Sequence, residues 1–316
     1  MPNTIKKQYK NSLIKNITYT AGFLYITICI LTHSKISLYY ALLGLNLWYE
    51  KMIPTLLPFM IISGIMVRMN LTEMFTALIY PLVRPVFRVS KNFCYCMLIG
   101  FLCGFPMGAR TVADMYERGS ITHREAGLLL AFVNNIGPVY FTGFVLPLIE
   151  RKLILPYVSG MYGIPLLYGI LLRYTVYKDI NTSPLHNTRS TDGGLLANID
   201  ASINAGVSNI LTLGGYMILF NLFNMIPHII LGSPPKILSP IFEISGGLTL
   251  LGSSCPIYTL LILPFGGLSC IAQTYTCIKN TDLSIASYTL NKFVLTGLTA
   301  LYYLLWYILS PDTFLL

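Results

Sequence analysis

The sequence is short of charge. Only 10% of its 316 residues are Asp, Glu, Lys or Arg, whereas soluble domains carry ~25%. Acidic side chains number 12 against 21 basic ones. Four scattered histidines, His33, His123, His186 and His228, form no metal-binding set. No Walker lysine loop occurs, so there is no sign of ATP driving, and neither Gly-x-Ser-x-Gly nor His-Glu-x-x-His is present to support hydrolysis. Cys-x-x-Cys is also missing. The seven cysteines lie in apolar stretches, and Cys94-x-Cys96 has no His or acidic neighbour at ligand spacing, so they read as small buried residues. These gaps argue against an enzyme, a metal or a cofactor. The basic residues are scattered between apolar runs, which argues against a nucleic-acid surface.

What is present is apolar. Hydrophobic residues make up 54%, which excludes a disordered chain. No ionised side chain occurs over 16–34, 52–67, 92–109, 126–149, 153–172, 201–235, 244–278 or 293–311. Several of these runs reach the ~20 residues that cross a bilayer as a helix. The expected fold is an all-α integral membrane protein. It has about six transmembrane helices, near 17–33, 52–68, 126–149, 153–173, 201–225 and 293–310. Two further segments, 92–109 and 246–278, carry glycine and proline near their middles and read as re-entrant or broken. Residues 36–50 read as an interfacial stretch, with Tyr39, Tyr40 and Trp48 as headgroup anchors. Lys6, Lys7, Lys10 and Lys15 before the first span place the N-terminus in the cytoplasm, and the basic residues then fall two to one on that side.

The expected organisation is a tail and first helix at 1–35, a first repeat with a connecting helix at 36–175, a polar linker at 176–200, and a second repeat at 201–316. The repeat rests on Leu82–Ser90 (LVRPVFRVS) matching Ile237–Ser245 (ILSPIFEIS) in Pro, Phe, Ser and aliphatic positions. The first copy is flanked by basic residues and the second is not, so the copies are expected to face opposite sides. An inverted repeat with a broken segment in each half is a transporter arrangement.

Three stretches are candidate binding elements. Gly104, Phe105, Pro106, Gly108 and Arg110 lie in Gly104-Phe-Pro-Met-Gly-Ala-Arg110, where glycine and proline disrupt a helix. A helix starting near Gly108 would aim amides at an anion, with Arg110 gripping a carboxylate. The alternative is that the glycines allow close packing and Arg110 reaches to the interface. Asn134, Asn135 and Gly137 stand in Asn134-Asn-Ile-Gly-Pro138, where the amides either meet a ligand or cap the break. In the second half Gly266 and Gly267 supply a break, and Ser269 and Gln273 supply polar tips one turn apart. Between the first two stretches, Thr122-x-x-Glu125 is a capping box, and Glu117, Arg118 and His123 read as a solvated turn.

Gly104–Arg110, Tyr116-Glu-Arg-Gly119 and Asn134–Pro138, with Pro54–Phe59 upstream and Phe265–Leu268 downstream, resemble the YlbJ (SpoVV) family of sporulation integral membrane proteins. That family falls in the nucleoside-recognition Gate domain group. The resemblance covers roughly residues 36–310. It implies a membrane transporter or facilitator of endospore formers, moving dipicolinic acid from the mother cell across the outer forespore membrane. The Gate group implies instead a nucleoside-type transporter, using Asn134, Asn135 and Gln273 more than Arg110. A non-transporting scaffold of spore assembly is a further alternative. Expected partners are the small solute, the lipid bilayer, and copies of the chain or other sporulation membrane proteins.

Overall fold

The computed structural model describes residues 3–69, 71–149, 154–180 and 194–311. Most of the linker, with His186 and Arg189, lies outside them, as do Arg151, Lys152 and the side chains of Lys6, Lys7 and Lys10. The described residues form helices and no strand.

Helix α1 (Asn3–Thr32) leads into α2 (Ser34–Arg68), a single rod with a π turn at Trp48–Met52. The bent pair α3 (Tyr80–Phe87) and α4 (Lys91–Cys103) turns by 106°. Next come α5 (Met107–Glu117), α6 (His123–Phe132) and the irregular α7 (Pro138–Leu148). Helices α8 (Ile154–Thr175) and α9 (Leu195–Leu231) follow on either side of the linker. The second half continues with α10 (Ile244–Leu251), α11 (Pro256–Ile262), α12 (Gly267–Ile278) and α13 (Ile285–Leu309). Six segments among the described residues are long and apolar enough to cross a bilayer: Leu13–Thr32, α2, α8, α9, Pro256–Ile278 and α13. The chain is a multi-pass integral membrane protein.

One expected span and one expected broken segment, 246–278, change. Residues 126–149 are not one rod, because α6 stops at Phe132 and the chain is non-helical until Pro138. Residues 256–278 instead form a segment long enough to cross, interrupted only at its centre. The interfacial reading of 36–50 is also corrected. Tyr40 is fully buried and hydrogen-bonded to His228 (2.9 Å), and Trp48 Nε1 donates to the Ile210 carbonyl (2.8 Å). Only Tyr39 stays half exposed.

The α2–α9 seam organises the molecule. A Cβ added to Gly44 would lie 2.8 Å from the Met217 carbonyl, and one on Gly214 would meet the Trp48 ring. Small residues let backbones approach where no water drives helices together. Both copies of the repeated motif lead into a helix, but the capping residue is the ninth of the first copy and the seventh of the second. Each ends in a helix start whose first amides are capped by a side chain, Ser90 for α4 (3.2 Å) and Glu243 for α10 (2.7 and 3.1 Å).

Candidate functional site

The site grows from two chain breaks pressed together. After α4, Gly104 adopts φ +75°, the Phe105–Pro106 peptide is cis, and α5 begins at Met107. Facing it is the stretch between α6 and α7. Phe105 N donates to the Asn135 carbonyl (2.7 Å), and a Cβ on Gly104 would overlap the Gly137 backbone. Asn134 Oδ1 accepts from Ala109 N (3.3 Å), while its Nδ2 donates to Thr274 Oγ1 (3.0 Å) and Tyr288 Oη (3.1 Å). Asn135 Nδ2 donates to the Phe132 carbonyl (2.6 Å), and its Oδ1 accepts from Lys292 Nζ (3.1 Å). Lys292 Nζ also donates to the Asn134 carbonyl (2.6 Å).

This arrangement engages what the sequence offered as open. The Gly108 and Arg110 amides donate to the Gly104 and Pro106 carbonyls (both 3.0 Å), so the α5 start does not present free donors to an anion. Both asparagines are buried and turned into the joint between helices. Gly108 lies against Gly100 and Asn134, as a packing position does.

The second half closes on the same region. Gly266 (φ +73°) and Gly267 (φ +82°) turn the chain into α12, and a Cβ on Gly266 would stand 3.3 Å from the Phe105 ring. Glu243, buried, takes Asn221 Nδ2 (3.0 Å) besides its two backbone donors. Tyr140 Oη donates to Ser245 Oγ (3.0 Å). Gln273 Nε2 donates to the buried Ser269 Oγ (3.0 Å), and the Gln273 Oε1 has no partner although the residue is buried.

Around these elements run three hollows. The inner one, about 570 Å³, is bordered by Cys103, Phe105 and Gly137 of the first half and by Glu243, Ser245 and Gln273 of the second. The middle one, about 330 Å³, is bordered by Pro106, Arg110, Asn209, Gln273 and Thr276. The outer one, about 480 Å³, is bordered by Arg68, Arg110, Thr111, Asp114, Arg118 and Ser202. Leu213 and Gln273 belong to the inner and middle walls, while Met60, Arg110 and Asn209 belong to the middle and outer walls. All three follow the α2–α9 seam.

Five of the sequence candidates therefore border a hollow: Phe105, Pro106, Arg110, Gly137 and Gln273. Gly104, Gly108, Asn134, Asn135, Gly266, Gly267 and Ser269 stand behind them, in packing or in hydrogen bonds. Arg110 is paired with Asp114, through Nε to Oδ2 (3.2 Å) and Nη2 to Oδ1 (2.8 Å). The sequence reading missed Lys292, Glu243 and Arg118. Lys292 had only the apolar run beside it as a signal, Glu243 stood within the repeated motif, and Arg118 stood within Tyr116-Glu-Arg-Gly119 but was read as part of a solvated turn.

The chain aligns with the sporulation integral membrane protein YlbJ of Bacillus subtilis (strain 168), 26% identical over 328 aligned positions that cover 90% of this chain and 80% of that protein. The chain is similar to YlbJ over most of its length. No protein-family model matches it, and no solved structure does. In this YlbJ-like chain the GFPMGAR and NNIGP motifs are the two faces of one joint. Their hydrogen-bonding groups hold the joint together, and their edges form part of the inner wall.

Proposed function

We propose that this protein is a sporulation membrane transporter or facilitator that passes a small polar or anionic solute along the α2–α9 seam. The observation that carries the reading is the shared walls: Gln273 and Leu213 join the inner hollow to the middle one, and Arg110, Met60 and Asn209 join the middle to the outer. A scaffold has no need of polar side chains at each step of such a series. Arg110 stands between two hollows, where its planar fork can pass a carboxylate from one to the next. The solute suggested by the family resemblance is dipicolinate, exported from the mother cell across the outer forespore membrane. In this reading the N-terminus and the arginine-bordered hollow face the cytoplasm, following the charge bias. The two halves rock about the Phe105–Gly266 contact, or the seam acts as a passive facilitator. Oligomers and contacts with other sporulation membrane proteins are compatible with either.

A nucleoside is the second reading. It is favoured by the aromatic inner wall of Phe59, Phe105 and Tyr140 beside the uncharged Gln273 amide. Uptake of dipicolinate and of nucleosides by vesicles holding the purified protein separates the two. Dipicolinate flux that falls by about tenfold or more in Arg110→Ala, the loss of one charge-assisted contact, is the expected result. Nucleoside flux indifferent to Arg110 favours the second reading. A protein that moves neither compound is a scaffold, and the transport reading is then lost.

A further inference from the structure

The outer hollow has an unbalanced wall. Arg68 comes from the end of α2, Arg110 and Asp114 come from α5, Arg118 follows α5, and α9 contributes only uncharged groups such as Ser202 and Asn209. Three guanidinium groups thus border the space with one carboxylate. Asp114 is taken up by Arg110. Arg118 is half buried and makes no hydrogen bond or ion pair among the described residues. Burial and the nearby Arg68 charge push its guanidinium down from the ordinary value and outweigh the Asp114 and Glu117 carboxylates that pull it up, so a further anion would favour its charged form. A second, uncharged signal lies in the wall of the same hollow. Thr111 is 2% exposed and its Oγ1 has no partner. A buried hydroxyl without a partner in a polar recess is what a bound ligand would satisfy.

We infer that the outer hollow is a loading site for a small divalent anion, held by Arg118, Arg110 and the Thr111 hydroxyl, with Asp114 occupying the Arg110 fork until the anion displaces it. Two acidic groups are needed because one guanidinium is unpaired and a second is released by the exchange. A monovalent anion would satisfy Arg118 and leave Asp114 in place. Asp114 is therefore an internal competitor: it keeps Arg110 compensated while the site is empty and sets the affinity the anion must exceed. The inference rests on the transport reading for the onward passage of the solute, while binding can be measured alone.

The test uses the full chain in phosphatidylcholine nanodiscs. Calorimetric titration compares pyridine-2,6-dicarboxylate, the divalent probe, with pyridine-2-carboxylate, the monovalent one. Wild type should prefer the dicarboxylate. Arg118→Gln should weaken dicarboxylate binding about tenfold and leave the melting temperature unchanged, since that side chain holds nothing in the fold. Asp114→Asn should tighten binding about fivefold, the opposite of what loss of a structural ion pair would do. Wild-type affinity in Arg118→Gln, or weaker binding in a normally folded Asp114→Asn, overturns the site. So does loss of dicarboxylate binding when the discs contain phosphatidylglycerol, because the hollow is then a lipid-headgroup seat. Binding with these signatures but no vesicle flux leaves the site standing and removes the transport reading. Flux indifferent to Arg118→Gln does the reverse.

Discussion

At the scale of single residues, Lys292 is the position whose chemistry is most constrained. Its ammonium is 2% exposed and has no acidic partner among the described residues. A bare buried charge costs several kcal/mol, so the surroundings must compensate it. They do so with the carbonyl end of α6. The Asn134 carbonyl and Asn135 Oδ1 accept from Nζ just past the last turn of that helix, where the dipole is negative. Lys292→Met leaves both acceptors buried without a donor, at about 1–3 kcal/mol each. A clear drop in the thermal-unfolding midpoint is expected, with Lys292→Gln intermediate because it keeps a donor. If Lys292→Met melts with wild type, the joint does not depend on the ammonium. The sequence could not show this role. Lys292 borders the charge-free run beginning at Phe293, and a cation at the edge of an apolar run reads as a loop residue. The helix in fact begins seven residues earlier, at Ile285, which carries the lysine inside. Asn134 and Asn135 were visible as costly amides, but sequence spacing could not choose between a ligand and a neighbouring helix as their partner.

At the scale of elements, the breaks were legible and the continuities were not. Gly104, Pro106, Gly137 and Pro138 cannot all continue helices, so the interruption of 91–117 and of 123–148 follows from residue type. The capping box at Thr122 and Glu125 was equally readable and is formed. The length of α2 was not, because Tyr40 and Trp48 serve as headgroup anchors or as packing groups with equal ease. Only α9, distant in sequence, decides between these roles. The end of α8 combines local contacts with ones distant in sequence. Buried Arg173 donates to the carbonyls of Phe87 (2.6 Å), Tyr177 (2.8 Å) and Ile180 (3.1 Å), and Arg124 of α6 clamps Asp179 (2.7 and 2.9 Å). The hydrogen bonds from Arg124 hold the Asp179 carboxyl below its usual value of 3.8. A depressed carboxyl stabilises the folded clamp above the unfolded value, and this contribution is lost as pH falls through the lower folded one. Protease cleavage near 176–180 should therefore rise at acid pH, below about 4. Asp179→Asn should show the raised cleavage at neutral pH and no further acid dependence. An unchanged cleavage pattern in that variant would mean that Arg173 alone holds the segment.

At the scale of the whole molecule, the proposed passage requires one wet seam in an otherwise lipid-facing bundle. Thr55 and Phe59 are one turn apart on α2, and Ser202, Asn209 and Leu213 recur on one side of α9, so the seam has a helical period on both partners. Ile62 and Leu211 point away from it and are 55% and 57% exposed, as lipid-facing residues of a membrane protein are. A membrane-impermeant maleimide should therefore read the period directly. Of the native cysteines, Cys255 and Cys277 are partly exposed and Cys103 borders the inner hollow, so replacing those three gives a quiet background. Cysteines introduced at Thr55 and Asn209 should react in intact vesicles, and those at Ile62 and Leu211 should not. Dipicolinate should slow labelling at Asn209, which borders the middle and outer hollows, more than at Thr55, which borders only the inner one, if loading begins at the arginines. Labelling that ignores the period would mean that water does not follow the seam. Protection at Thr55 alone would place solute entry at the opposite end.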